Sequence, residues 1–182
     1  MRRTWLVVLA LLAAVGMTAS VAVASSVHLK GGPKAKPSFT DGGLFLSASG
    51  ALSGLGNADV RITLTATGNV TSTCTNNGGN AAPGQNPAPI TLIGTLDIPA
   101  TEIKNGTTPF NVRTTSAPAT IAGAPDCPNS NWTESIDALA FTSATIQVEQ
   151  PIGTVVLTVN CSFSPPTSDG AVPSGTVTCT TA

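Results

Sequence analysis

The side chains that could do chemistry in this chain are few. Glu102, Glu134, Asp137 and Glu149 could supply the two carboxylates that a glycoside hydrolase needs on either side of a scissile bond. Glu134 and Asp137 stand close to Trp132, and a tryptophan beside acids can form a platform for a sugar ring. The chain has no tyrosine and one other tryptophan, Trp5, so aromatic material for stacking is scarce. The plainer reading has Trp132 plugging the end of a core with both acids solvated. A Ser-His-Asp set needs a histidine beside its serine, and His28 is the one histidine of the sequence. Asn76, Asn77 and Asn80 carry oxygens that calcium would accept, but the spacing of a calcium loop is missing, and Asn-Gly clusters are ordinary turn formers. These residues name no catalytic group, metal or cofactor.

Four cysteines, Cys74, Cys127, Cys161 and Cys179, carry the most definite chemistry. An even count without C-x-x-C spacing reads as disulfides rather than zinc. Of three possible pairings, Cys74–Cys127 and Cys161–Cys179 is the one expected. It pins two long loops together and joins two neighbouring strands. Chain entropy then contributes roughly 4 and 3 kcal/mol respectively.

The elements that must position these residues have a period of two. Val60, Ile62, Leu64 and Ala66 share one parity and Arg61, Thr63, Thr65 and Thr67 the other, which predicts a half-buried strand with a hydroxyl outer face. The parity runs on through Val70, Ser72 and Cys74, so a strand bent at Gly68 is expected there rather than a hairpin. Thr75 to Pro89 holds four Asn, three Gly and three Pro and reads as a long exposed loop, with Gln85 and Asn86 in its second half. Strands are predicted at 90–98 and 107–115. A second loop follows at 117–131. Residues 139–150 and 153–163 read as a hairpin, 174–181 as a last strand, and 132–139 as the one place where a helix could lie. The sum is an all-β fold: an immunoglobulin-like antiparallel β-sandwich of seven to eight strands stapled by two disulfides, with a barrel as the alternative. The T-x-T spacing could order water on a flat face, but threonine is also a good strand residue. Asn69, Asn105, Asn131 and Asn160 head N-x-S/T sequons, which matter only in a host that glycosylates.

The first residues are Met1-Arg2-Arg3, then an uncharged apolar run from Thr4 to Val15, then small residues ending in Ala22-Val23-Ala24. This is the pattern of a secretory signal peptide over 1–24, cut after Ala24. The run is shorter than the roughly 20 residues of a spanning helix. Removing Arg2 and Arg3 from the 8 basic residues leaves 6 against 9 acidic, a weakly acidic balance that gives no warrant for nucleic-acid binding. Residues 25–39, with Gly31-Gly32-Pro33, Pro37 and Lys30, Lys34 and Lys36, read as a flexible arm. One β-sandwich domain is expected over 40–182.

The stretches Val27-His28-Leu29-Lys30-Gly31-Gly32-Pro33, Gly54-Leu55-Gly56-Asn57-Ala58-Asp59-Val60, and Cys74-Thr75-Asn76-Asn77-Gly78-Gly79-Asn80 resemble an uncharacterised family of small secreted actinobacterial proteins. So do Ala124-Pro125-Asp126-Cys127-Pro128-Asn129 and Cys161-Ser162-Phe163-Ser164-Pro165-Pro166. The resemblance implies export and brings no activity and no functional residue. The functional expectation is a secreted or cell-wall-associated, non-catalytic structural or binding module. Its partner would be a cell-wall polymer or another extracellular protein, not nucleic acid, and not a membrane once the leader is cut. Its binding surface is expected in the loop Thr75 to Pro89, at Asn76, Asn77, Asn80, Gln85 and Asn86, and in the region Asp126 to Asp137, at Trp132, Glu134 and Asp137. The alternatives are an extracellular polysaccharide hydrolase using Glu134 or Asp137, and a protease inhibitor presenting the Pro-rich loop.

Overall fold

The computed structural model describes residues 26–32 and 34–182. The expected leader at 1–24 and its cleavage point lie outside the described residues.

Among the described residues, twelve strands form two antiparallel sheets. The smaller sheet contains β1 (His28–Leu29), β2 (Ser38–Asp41), β3 (Leu46–Ser53), β7 (Thr107–Arg113) and β11 (Gly170–Ala171). The larger contains β4 (Val60–Asn76), β5 (Ala81–Pro83), β6 (Ile90–Ile98), β8 (Thr120–Ile121), β9 (Trp132–Glu149), β10 (Val155–Phe163) and β12 (Val177–Thr181). Eight of these have four residues or more, which is the β-sandwich expected from the periodicity. The sheets do not close into a barrel, although Thr115 N–H donates to Ile93 O (2.9 Å) and draws them together along one side. Gly94 is required at that approach. A Cβ there would sit 1.8 Å from Arg113 O.

The core lies between the sheets. Leu46, Leu52 and Val112 from the smaller meet Ile62, Leu64, Phe141, Ile146 and Val159 from the larger, all nearly inaccessible. Phe39 and Phe163 meet edge to face across the interface, their centroids 5.0 Å apart. Outward, Thr63, Thr65 and Thr67 of β4 stand beside Thr95, Ile93 and Thr91 of β6 and beside Gln147, Thr145 and Ser143 of β9. Threonine is stiff at χ1 and packs well on a pleated surface, so one residue type serves both strand formation and solvation.

β4 and β9 make one long ribbon. β4 is continuous through Gly68, as expected, with every even residue from Val60 to Cys74 buried. β9 fits against it through two bulges, at Asp137 and Thr142, each an extra residue on the β9 side. One half of the ribbon carries β6, β10 and β12. The other half carries β5 and β8 and ends in the loops.

Three expectations are corrected. The described residues of the expected arm at 25–39 do not form a free arm: Val27 and Leu29 are buried, β1 pairs with Leu52 and Ser53, and Phe39 is 2% exposed within β2. The alternation Val27, Leu29 was a strand signal that the Gly-Gly-Pro break masked. The two long loops are not structureless, since β5 folds back on Thr73–Thr75 and β8 pairs with Glu134 and Ser135. Residues 132–139 begin β9 and hold no helix.

Candidate functional site

Both disulfides form as expected. Cys161 and Cys179 face each other directly across β10 and β12. Cys74 near the end of β4 is joined to Cys127, 53 residues on, with Cα atoms 5.6 Å apart. The Cys74–Cys127 bridge brings the segments 76–89 and 117–131 together at one end of the ribbon. Backbone hydrogen bonds fix them there. Gly84 N–H donates to Ser72 O (2.8 Å) and Gln85 N–H to Asp126 O (2.9 Å).

Two adjoining hollows result. One, of about 330 Å³, is lined by Gln85, Asn86, Pro125, Asp126, Cys127 and Pro128. The other, of about 430 Å³, is mainly apolar, with Ile90, Ile121, Ala122 and Ile136 in its lining. They share Pro125 and Asp126. These volumes lie at the lower end of small-ligand sites. Among the described residues, Asp126 is the one charged residue lining either hollow.

The sequence-derived candidates divide. Gln85 and Asn86 line the polar hollow, and Asn86 adopts φ 56°, a conformation that asparagine tolerates. Asn76 and Asn80 are occupied in the turn between β4 and β5. Asn76 Oδ1 accepts from Gly78 N–H and Asn80 N–H, both at 2.9 Å. Asn77 is exposed at the tip of that turn. Trp132 is half-buried opposite Asn76 and lines neither hollow.

Glu134 is not a solvated acid. It is fully buried, accepts Ser72 Oγ–H at 2.7 Å on Oε1, and receives a long 3.4 Å contact from Asp126 N–H on Oε2. Asp137 is exposed on the other face of the strand, as the bulge residue, and accepts from Thr73 Oγ1 (2.7 Å). The two carboxylates therefore project to opposite sides of the sheet and do not flank a common cleft.

Asp126 and Ile136 fall within the region 126–137 expected to bind, though neither was singled out there, and Ile121 lies outside it. Two isolated isoleucines in otherwise polar or Pro/Ala-rich surroundings were the available signal. Among the described residues no group of three or more His, Cys, Asp or Glu could hold a metal ion, and no helix is long and apolar enough to cross a membrane. No protein-family model, curated protein or solved structure matches the chain.

Proposed function

We propose that the protein is a secreted or cell-wall-associated, non-catalytic β-sandwich module. It binds an extracellular partner through the loop end stapled by Cys74–Cys127. The observation that carries the reading is the pair of adjoining hollows at that end. Two disulfides and the apolar leader pattern of residues 4–15 support export. The immunoglobulin-like label belongs to the same reading. It is supported by two antiparallel sheets with a binding end made of clustered loops, a common arrangement in such sandwiches. The opposed directions of Glu134 and Asp137 weigh against a hydrolase built on those two residues.

The test is sedimentation of the intact, oxidised chain with purified bacterial cell walls. Wild type is expected to pellet with the walls. Ile121→Glu, which places a charge in the apolar hollow, is expected to weaken retention at least fivefold, while Thr65→Lys on the outer face leaves it unchanged. Retention lost with Thr65→Lys but kept with Ile121→Glu would move the binding surface away from the loop end.

A further inference from the structure

The hollows at the loop end differ in character, and Asp126 stands where they meet. Its backbone is engaged on both sides: the carbonyl accepts from Gln85 N–H, and the N–H faces Glu134 Oε2. Its side chain is half-buried and has no ion pair, the one salt bridge among the described residues being Arg61–Asp97. No lysine, arginine or histidine lines either hollow. The buried carboxyl of Glu134 lies directly behind, also without a cation. A ligand filling the apolar hollow strips water from Asp126. An uncharged or anionic ligand then leaves that carboxylate desolvated and uncompensated, whereas a cation restores its partner.

Resting on the loop-end reading above, the geometry points to a ligand that carries a primary ammonium on a short apolar stem. The stem lies against Ile90, Ile121 and Ile136, the ammonium pairs with Asp126, and the amides of Gln85 and Asn86 form a neutral rim.

The probes are n-hexylammonium, n-hexanol and hexanoate, titrated into the isotopically labelled, oxidised chain while the backbone amide signals of Ile121, Ala122, Asp126 and Cys127 are followed by NMR. Hexylammonium is expected to shift these signals saturably and to bind up to about fivefold more tightly than hexanol, the ratio a partly exposed ion pair supplies. Hexanoate should bind most weakly. Asp126→Asn, whose side chain leaves no internal contact behind, should bring hexylammonium to the level of hexanol. In wild type, added sodium chloride should weaken hexylammonium and spare hexanol. Equal binding of the ammonium and the alcohol, indifference of the ammonium to salt or to Asp126→Asn, shifts confined to other residues, or no saturation would each overturn the inference. If hexylammonium fails while Ile121→Glu still releases the chain from cell walls, the cation inference falls and the loop-end reading stands. If Ile121→Glu also leaves sedimentation unchanged, the loop-end reading falls with it.

Discussion

Ser72 and Glu134 show how a single residue pair holds the loop end. Both lie on inward-facing positions of the long ribbon, and Glu134 is inaccessible to water. A buried carboxyl must find donors inside the protein, and Ser72 Oγ is its short one at 2.7 Å. Ser72→Ala should therefore cost about 1–3 kcal/mol, because it leaves a buried acceptor without its partner. A urea midpoint equal to that of wild type would count against this. Gly84 closes over the same pair, since a Cβ there would lie 2.0 Å from Ser72 Oγ. On the surface, Arg61 donates twice to Asp97 at 2.7 Å, and this holds the Asp97 carboxyl below its ordinary value of 3.8. A depressed folded-state value means a contribution that is complete above the ordinary value and lost as pH falls. The stability difference between wild type and Asp97→Asn should thus be present at neutral pH and shrink as pH drops through 3.8 and below. A difference that grows on acidification would contradict the assignment.

At the scale of elements, β9 explains what the sequence disclosed and what it hid. Its inward residues are Trp132, Glu134, Ile136, Leu139, Phe141, Ala144, Ile146 and Val148, so the step of two is interrupted by a step of three after Ile136 and again after Phe141. Each interruption is a bulge, at Asp137 and at Thr142, against a β4 that keeps its parity throughout. Deleting Thr142 would remove the second of the two bulges while leaving Phe141 and Leu139 on the core side. Such a variant is expected to fold with its core intact but with the ribbon less bent, and so with the loop end moved. Exposure of Leu139 and Phe141 in that variant, seen as dye binding or as amide exchange of β9, would refute the bulge reading. Regular alternation made β4, β6, β7 and β10 legible in advance. The first half of β9 was not, because the break in parity after Ile136 resembles the irregularity of a loop or a short helix. The strands β1, β5 and β8 are two or three residues long, so the Val27, Leu29 alternation stops before it can mark β1 and no period marks β5 or β8. The cysteine pairing was readable, and with it the meeting of the two loops. The region starting at Asp126 was readable too, but not the particular place of Asp126, because a lone acid between Pro and Cys signals nothing until the bridge sets it at the seam of two hollows.

At the scale of the molecule, the two disulfides act on different parts of one sandwich. Cys161–Cys179 lies within the sheet, between a long strand and the edge strand β12, whereas Cys74–Cys127 joins the far half of the ribbon to a connecting segment. Chain entropy assigns about 3 kcal/mol to the first, with its separation of 18 residues, and about 4 kcal/mol to the second, with 53. Their combined loss is comparable to the whole margin of a domain, about 5–15 kcal/mol. Each single bridge removal, Cys161→Ser with Cys179→Ser or Cys74→Ser with Cys127→Ser, should therefore leave a folded protein. Removing both should leave one close to unfolding at 37 °C. The two single removals should also differ in place. Without Cys74–Cys127, amide exchange should quicken in β5, β8 and residues 117–131 and stay slow in β3, β10 and the first half of β4, since most of the core lies between the sheets and Ala117, Ile121 and Ile136 join it only at its margin. Without Cys161–Cys179, quickening should appear in β12 and at the edge of the larger sheet. A uniform acceleration in either variant would show that the ribbon's far half and the sandwich unfold as a single unit. The loop end would then be held by the global stability of the fold rather than by its own staple.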